Sequence, residues 1–288
     1  MSLDKGIDIP YQQLPFSSTG QFHIFPLSSF ISDLARLPHR HHHYQLIWFT
    51  QASGQHVVDF VSYELKDNLL FLLEPGQVHQ LLDSTREGHS IVFSEKFYFS
   101  NKQERETLFD FSHLFDSSNG YMPIPLGKDA VAALEKLAEL MYLERNNRYC
   151  NRGIIKHYLN AFLLLAEREK KQAVGNIEPG TGDERVWQLR RLVDQHFRTE
   201  HQAAFYADAF ALTPKRLNEI TRERTGRTVT ELVHTRLVLE AKRNLAFSHK
   251  SIKEISYELG FEDPAYFSRF FKHHAGNSPQ DFRDRMLK

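Results

Sequence analysis

The sequence predicts two domains: an N-terminal β domain of sandwich or barrel type that ends in an antiparallel helix pair, and a C-terminal domain made of helices. Three observations predict this division. Residues 20–95 consist of short β-type segments, apolar residues follow helical spacing from Lys128 onward, and residues 171–183 contain Pro and Gly but few apolar residues. A length of 288 residues suits two domains, since one domain has roughly 100–200 residues. We therefore expect domains at 1–170 and 184–288, with 171–183 as the linker.

The β domain is predicted from six short segments that are rich in aromatic and β-branched residues. Turn signals separate these segments at Ser53-Gly54, Asp67-Asn68, Pro75-Gly76 and Glu87-Gly88. Short strands at this spacing are typical of a sandwich or a barrel. The predicted strands are Phe22–Leu27, Tyr44–Thr50, Val57–Val61, Leu69–Leu73, Val78–Leu82 and Ser90–Phe93.

The helix pair is predicted because apolar residues then repeat every three or four positions. In the first helix these residues are Val131, Leu134, Leu137, Ala138, Met141 and Tyr142. In the second they are Ile154, Ile155, Tyr158, Leu159, Phe162 and Leu165. The polar stretch Arg145–Arg152 joins the two helices, and a connection this short predicts that they run antiparallel.

A fifty-residue repeat organises the C-terminal domain. Thr213-Pro214 and Asp263-Pro264 each pair a good N-cap side chain with a proline at the first helical position, where its missing N–H costs nothing. Further along, Gly226 and Gly276 are placed to end each helix in a left-handed conformation. Other matched positions are Leu217 with Phe267, Ile220 with Phe270, Thr228 with Ser278 and Leu232 with Phe282. These agreements indicate the same helix built twice.

A short helical pattern precedes each repeat, Gln202–Phe210 in the first and Ile252–Leu259 in the second. In the second, Gly260-Phe261 forms a tight turn of the helix-turn-helix kind. Between the units, Val229–Ala246 predicts a linker helix of about eighteen residues, or ~27 Å at ~1.5 Å per residue. A rod of that order would hold two reading helices near one DNA turn (~34 Å) apart, the spacing of successive major grooves.

The exposed stripes of these two helices are the predicted DNA-reading surfaces. The residues expected to point inward are Leu217 and Ile220 in the first helix and Phe267, Phe270 and Phe271 in the second. The types left outside suit DNA, because Asn reads adenine, Lys and Arg read guanine or contact phosphate, and Glu accepts from cytosine. The alternative is a charged, solvated helix face. The candidate DNA-binding residues are Lys215, Arg216, Asn218, Glu219, Arg222, Ala265, Tyr266, Ser268, Arg269 and Lys272.

A family signature lies within Ile255–Arg283, which reads ISYELGFEDPAYFSRFFKHHAGNSPQDFR and resembles the AraC/XylS family of bacterial regulators. The run GF-x-D-x-x-YF-x-R-x-FK, followed by G-x-SP and FR, carries the resemblance, which covers residues 183–288. It implies an activator, less often a repressor, that inserts two recognition helices into adjacent major grooves of double-stranded DNA and works with RNA polymerase. It also implies a homodimer formed through the helices in 128–170. Glu219, Thr221 and Ser256 depart from the family pattern, so we expect the first unit to read bases differently.

Histidines cluster in the β domain. On a strand, His39, His41 and His43 would share one face, and His79 follows Pro75-Gly76. The H-x-H and P-G-x-x-H elements resemble a cupin barrel, and members of the same regulator family often carry such a barrel as a sensor. The resemblance therefore implies an unknown small-molecule effector. The candidate pocket residues are His41, His43, Trp48 and His79.

A metal site is the alternative for these histidines, because three imidazoles can hold zinc, iron, nickel or copper. Metal-binding cupins add a glutamate shortly after the second histidine, where this chain has Ile47, Trp48 and Phe49. We therefore expect neither a metal nor another cofactor, with the histidines lining an effector pocket or bonding to neighbours.

Composition and charge indicate the cellular compartment in which the protein is expected. Cys150 is the single cysteine, so an internal disulfide is excluded and a reducing cytoplasm is expected. The N-terminal residues do not read as a signal peptide, and the longest apolar stretch, near Ala161–Ala166, is far short of the ~20 residues that span a membrane. Residues 183–288 hold 19 Lys and Arg against 15 Asp and Glu, and this mildly basic balance fits DNA binding.

The sequence contains no convincing nucleophile triad, glycine-rich phosphate loop or cysteine metal cluster. We therefore expect an effector-responsive, sequence-specific transcription factor without catalytic residues, and not an enzyme. Two alternatives stay open: a cupin-type metalloenzyme with an appended DNA-binding domain, and an architectural DNA binder without ligand sensing.

Overall fold

The computed structural model describes residues 22–29, 37–100, 114–115, 122–174 and 183–286. These residues form two compact units that separate between Val174 and Asp183. The first unit is called the β domain and the second the helical domain below. Within the described ranges, no helix is both long enough and apolar enough to cross a lipid bilayer.

The β domain contains one antiparallel sheet. Its strands are β1 (Phe22–Pro26), β2 (Tyr44–Val58), β3 (Val61–Glu64), β4 (Leu69–Leu73), β5 (His79–Phe93) and β6 (Ile124–Pro125), and a short 3-10 turn follows β1 at Leu27–Ser29. The strands pair in the order β1-β5-β2-β4-β6, and β3 pairs with β2. Among the described residues, β6 does not pair with β1, so the pairings form an open path.

Two strands are much longer than predicted, because β2 and β5 each have fifteen residues. The turns predicted at Ser53-Gly54 and Glu87-Gly88 are wrong: both dipeptides lie inside strands, and the β2–β5 ladder shifts register between Phe49 and Gln51 and again between Ser53 and Gln55. Such bulges absorb an extra residue without reversing the chain. The predicted strands Tyr44–Thr50, Val78–Leu82 and Ser90–Phe93 are therefore parts of the two long strands.

The segment Val57–Val61, predicted as a strand, contains the hairpin turn between β2 and β3. Val58 pairs with Val61, so Asp59 and Phe60 form a two-residue loop, and both have positive φ angles, 45° and 74°. Two positive φ angles are what a tight hairpin of this type requires, but Asn-Gly or Asp-Gly is the usual signal. Because the second position is a phenylalanine, the sequence lacks the usual signal for this turn.

The two faces of the sheet cover two cores, because side chains alternate along β2. Leu46 and Trp48 face a core shared with the helix pair. Ile47 and Phe49 face a second core with Leu81 of β5. The helix pair and the buried histidines therefore lie on opposite faces of the same strands.

The helices of the β domain are α1 (Glu95–Tyr98), α2 (Lys128–Arg145) and α3 (Arg152–Val174). As predicted, α2 and α3 pack against each other and bury apolar stripes. The buried residues are Leu134, Ala138 and Met141 of α2 and Ile155, Leu159 and Phe162 of α3. Tyr142 and Ile154 belong to the predicted patterns but are 47% and 40% exposed, because they lie at the edges of these stripes. Helix α3 continues to Val174, four residues into the predicted linker, and residues 175–182 lie outside the described part.

The helical domain contains α4 (Asp183–His196), α5 (Ala203–Ala209), α6 (Pro214–Thr225), α7 (Val229–Phe247), α8 (Ile252–Glu258), α9 (Pro264–Ala275) and α10 (Pro279–Met286). Helix α7 is the predicted linker helix, and each of the six other helices packs against it. Its nineteen residues span ~28 Å. It supplies Val233, Leu237 and Ala241 to the core, which explains how one helix supports both repeated units.

Candidate nucleic-acid interface

Helices α6 and α9, the two predicted reading helices, begin with matching caps. The Thr213 hydroxyl accepts a hydrogen bond from the Arg216 N–H at 3.2 Å. The Asp263 carboxylate accepts from the N–H groups of Ala265 at 2.8 Å and Tyr266 at 3.1 Å. Proline follows each cap at the first helical position, as predicted. Each cap satisfies backbone donors that have no partner inside the helix.

The same helices also end alike. Gly226 and Gly276 have φ angles of 70° and 81°, which confirms the predicted left-handed ends. Their N–H groups donate to Arg222 O and Lys272 O four residues back. Without a Cβ, glycine adopts this conformation at no steric cost.

The turns that lead into α6 and α9 differ by one residue. The Leu212 N–H donates to Ala207 O in the first unit, and the Phe261 N–H donates to Ser256 O in the second. These matched contacts are 49 residues apart, whereas the caps are 50 apart, so the second turn contains one additional residue. Ala211, with φ 52°, takes the left-handed position that Gly260 holds with φ 78°. The repeat is therefore fifty residues long only from the caps onward.

The first stripe, on α6, is exposed at Lys215, Arg216, Glu219 and Arg222. The Arg216 guanidinium donates to the Glu219 carboxylate at 3.0 Å, so these opposite charges neutralise each other at the surface. Asn218 is half-buried, and its Oδ1 accepts a hydrogen bond from the Val229 N–H at 3.0 Å.

The inward side of α6 differs at two positions from the prediction. Leu217 is buried as expected, but Thr221 is fully buried and Ile220 is only half-buried. The Thr221 hydroxyl donates to Leu217 O at 2.7 Å. This bond satisfies the buried hydroxyl, so the polar residue leaves no unpaired hydroxyl in this core.

The second stripe, on α9, has the predicted inward residues Phe267, Phe270 and Phe271, all of them buried. The outward residues Ala265, Tyr266, Arg269 and Lys272 are exposed, and Ser268 is half-buried with its hydroxyl donating to Pro264 O at 2.9 Å.

Arg269 of the second stripe is held near the start of α9. It is 70% exposed and lies 3.8 Å from the Asp263 carboxylate. Its guanidinium carbon lies 6.0 Å from the centroid of the Tyr266 ring. A guanidinium placed near an aromatic ring and a capping carboxylate has fewer orientations to lose when it binds a base edge.

An ion-pair network centred on the buried Glu240 joins α4 and α7. The Glu240 carboxylate accepts from Arg198 at 2.9 Å and from Arg236 at 3.0 Å, and Arg236 also donates to Asp194 at 2.8 Å. Burial opposes the charge on Glu240, but Arg236, Arg243 and Arg198 lower its pKa to about 2. Our sequence interpretation missed this network, although Arg236, Glu240 and Arg243 stand at helical spacing on α7.

The signature residue Arg283 has a structural role. Its guanidinium donates to Leu245 O at 3.1 Å and to Lys250 O at 2.6 Å. These carbonyls lie near the end of α7 and just beyond it, so Arg283 satisfies backbone acceptors that the helix itself leaves open.

A second candidate site is the histidine cluster of the β domain, formed by His39, His41, His43, His56 and His79. His39 and His79 form a backbone bridge with their rings 4.1 Å apart, and the rings of His41 and His79 are 5.2 Å apart. His56 of β2, which our sequence interpretation missed, lies with Nε2 3.1 Å from Nδ1 of His79. Three of the four predicted pocket residues therefore come together with two further histidines.

Trp48, the fourth predicted pocket residue, lies on the opposite face of β2. Its ring packs 6.3 Å from the ring of Phe162 in the helix-pair core. The reason is the alternation of side chains along the strand, which separates position 48 from positions 45 and 47.

Burial keeps these histidines neutral near pH 7. Burial, together with the neighbouring His39, lowers the pKa of His41 to about 4 and that of His56 to about 3. The pKa of His79 is lowered well below its usual value by burial and by the histidines around it.

The cavity beside the cluster is small. Its volume is about 20 Å³, and Gln45, Arg86 and Ser90 line it together with His39 and His79. This volume holds about one water molecule, whereas a drug-sized ligand needs roughly 300 Å³ or more.

The cluster does not have the geometry of a metal site. The rings of His41 and His43 are stacked 4.1 Å apart with an interplanar angle of 8°, so their lone pairs lie in two nearly parallel, separate planes and do not meet at one ion. His79 uses Nδ1 toward His56, and its buried Nε2 has no hydrogen-bond partner among the described residues. Within the part of the chain that the structure describes, no group of three or more His, Cys, Asp or Glu is arranged to hold a metal ion.

Parts of this chain are similar to known proteins. Residues 206–285 match a family model described as a helix-turn-helix domain. The chain is 28% identical over 133 residues to the HTH-type transcriptional activator RhaS of Citrobacter koseri, which covers 46% of this chain and 45% of that protein. It is 31% identical over 108 residues to RhaS of Yersinia pestis, which covers 36% of this chain and 40% of that protein.

The chain thus spans less than half the length of these curated relatives. Among solved structures, ToxT of Vibrio cholerae aligns over 91% of this chain and 97% of its own, with a TM-score of 0.42 and 16% identity.

Proposed function

We propose that this chain, whose helical domain is of the AraC/XylS helix-turn-helix family, is a sequence-specific DNA-binding transcription factor. The observation that carries the proposal is the paired build of α6 and α9: both are capped, both end at a left-handed glycine, and both pack against the ~28 Å helix α7. Each presents exposed cations on its outer stripe. Two such helix-turn-helix units would enter successive major grooves on one side of a duplex.

Recognition would divide between bases and phosphates. Arg269, held near Tyr266 and Asp263, suits a bidentate contact with guanine. Lys272, nearer the end of α9, suits phosphate. On α6, Lys215 and Arg222 are the exposed cations, and Glu219 is paired with Arg216. The pair with Arg216 uses Oε2 of Glu219, so the carboxylate can still accept from cytosine through its other oxygen.

Selection of bound duplexes from a random-sequence library tests this function with the purified full chain. We expect enrichment of a motif with two elements about one helical turn apart. Recovery of sequences that are no more alike than the input library would contradict the proposal.

The β domain is proposed to be a cupin-like sensor of a small effector. Its sheet, its second core and the mixed polar and apolar lining of the 20 Å³ cavity support this role. The candidate contacts are His41, His43 and His79, and Trp48 is removed from the set. An effector of ordinary size requires the cavity to open. A compound screen by thermal shift, followed by DNA affinity with and without each hit, tests the sensor. Hits that bind without changing DNA affinity would contradict it.

Homodimerisation through α2 and α3 is proposed from their exposed apolar side chains. Leu140 and Leu143 of α2 and Ile154 and Leu164 of α3 are 40–57% exposed. Burying such side chains in a second copy would remove apolar surface from water. Light scattering of the full chain and of a Leu143→Asp variant tests this. We expect a dimer that the variant weakens, and a monomer at all concentrations would contradict the proposal.

Activation in the cytoplasm, through contact with RNA polymerase, is the proposed outcome of DNA binding. The relatives reported above are described as transcriptional activators, which supports this direction. Transcription in vitro from a promoter beside the selected motif tests it. A rise in transcript with the wild-type chain is expected, and a fall would identify a repressor.

A further inference from the structure

The first residue of α7 has an unusual partner. The Val229 N–H donates to Oδ1 of Asn218, which lies on α6, at 3.0 Å. The first N–H groups of a helix have no acceptor inside it, and the Val229 side chain is fully buried. The neighbouring cap does not serve this N–H, because Thr228 and Glu231 bond reciprocally to each other.

The second unit has a different arrangement at the equivalent position. Fifty residues on, Pro279 is the first residue of α10 and has no N–H to satisfy. Ser268, which corresponds to Asn218, bonds to Pro264 O within its own helix. The polar side chain at 218 is thus matched to a backbone donor that the second unit lacks.

We infer that Asn218 is a positioning residue that fastens α6 to the start of α7, and not a reader of adenine. A bidentate contact with adenine needs the amide oxygen and the amide nitrogen turned together toward one base edge, whereas the bond from the Val229 N–H to Oδ1 turns the half-buried amide toward α7. The inference rests on the proposed DNA-binding function, because it assigns a role within that surface.

The consequence is an asymmetry between the two reading helices. Lys215 and Arg222 are left to contact DNA from α6, whose attachment to α7 depends on Asn218. Loss of that attachment changes the placement of the whole first unit. DNA of every sequence should therefore bind more weakly, and the loss should not be confined to a single base position.

A double-mutant cycle of Asn218→Ala and Val229→Pro tests the inference. Proline fits the first helical position, and the extended Thr228 before it is compatible with proline. On a selected duplex and its single-base variants, Asn218→Ala should weaken binding about fivefold to tenfold throughout, as expected for one hydrogen bond. In the Val229→Pro background the same substitution should change affinity by less than about twofold.

An equal loss in both backgrounds, or a loss confined to one base position, would overturn the inference and make Asn218 a reader. Failure of the wild-type chain to prefer any duplex would instead reject the proposed function. A second measurement is independent of DNA and of the proline variant. Hydrogen exchange at Val229 in the full chain should speed up at least about tenfold in Asn218→Ala but stay near wild type in Asn218→Asp, which keeps an acceptor oxygen. Equal acceleration in both variants would also overturn the inference.

Discussion

The Glu240 carboxylate lies 3.0 Å from the Arg236 guanidinium, and both side chains are on α7 and largely buried. Arg198 supplies a second hydrogen bond to Glu240, and the ring of Phe197 lies 4.2 Å from the Arg236 guanidinium. Glu240→Gln removes the buried carboxylate charge that Arg198 and Arg236 share, while Arg236 keeps its bond to Asp194, so we expect the helical domain to lose roughly 3 kcal/mol of stability. Hydrogen exchange of α4 and α7 in the full chain measures this loss.

The exposed pair of Lys250 and Glu258 is the matched control, since both side chains are more than 40% exposed. Glu258→Gln should cost less than about 1 kcal/mol. The Glu240 effect also has a pH signature. Because its folded pKa is about 2, below the unfolded value near 4.5, the stabilisation is complete above pH 4.5 and is lost as pH falls toward 2. A constant difference between wild type and Glu240→Gln across that window would contradict the network's role.

The turns at Ala211 and Gly260 predict that removing one methyl group and adding one have opposite effects on stability. Ala211 has a φ angle of 52°, in the left-handed region that favours glycine. Ala211→Gly should therefore leave the stability of the domain unchanged or raise it by up to about 1 kcal/mol. Gly260 has φ 78°, and a Cβ there would overlap the carbonyl oxygen of Arg198. Gly260→Ala should therefore cost more than about 2 kcal/mol. Thermal unfolding of the full chain compares the variants, and destabilisation by Ala211→Gly would contradict the strain assigned to that turn.

The histidine cluster predicts that acid destabilises the β domain first. Since burial lowers the folded pKa of His41 to about 4 and of His56 to about 3, the unfolded chain takes up protons first as pH falls below 6.5. The full free energy of unfolding is therefore present above pH 6.5. Each such histidine lowers it by about 2 kcal/mol by pH 5. Hydrogen exchange of β2 and β5, corrected for intrinsic rates, should accelerate over this range while α4 stays protected.

A variant checks that the histidines cause this effect. His56 contacts the rings of Phe49 and Phe71, so His56→Phe keeps an aromatic side chain there and removes one titrating group. We expect a lower stability at pH 7 but a shallower loss toward pH 5. An acid profile as steep as that of the wild type would reject the role of His56.

Arg269 and Lys272 should differ in what they contribute to binding. Arg269→Ala is expected to weaken specific binding by ~1–3 kcal/mol and to relax one base position. Lys272→Ala should weaken all duplexes alike and reduce the slope of log affinity against log salt by about one. Fluorescence anisotropy on the selected motif and on random duplex separates the two. Equal losses of affinity on both duplexes for Arg269→Ala would show that Arg269 contacts only phosphate.

Sequence reasoning predicted the helical domain well because its signals are local. Asp263 before Pro264, and Gly276 thirteen residues after Asp263, mark the two ends of α9, and the three phenylalanines mark its buried side. Such caps act within one turn of helix, so they can be read without knowing the fold.

The features that were missed depend on contacts far along the chain or on unusual residues. The bond between Arg198 and Glu240 joins positions 42 residues apart, and only packing of α4 on α7 brings them together. Phe60 in a hairpin turn and Ala211 in a left-handed turn violate the residue preferences on which prediction relies. Trp48 is a different case, because alternation along β2 places it on the face opposite to Ile47 and Phe49, which lie on the histidine side, and that signal was available in the sequence.

Dimethyl sulfate protection of the selected duplex tests the central claim most directly, because it reports guanine N7 in the major groove. If α6 and α9 each enter a major groove, two clusters of protected positions should appear about one helical turn apart. Arg269→Ala should remove protection from one cluster and leave the other. A single cluster with the wild-type chain, or loss of both clusters together in Arg269→Ala, would contradict two independent reading helices.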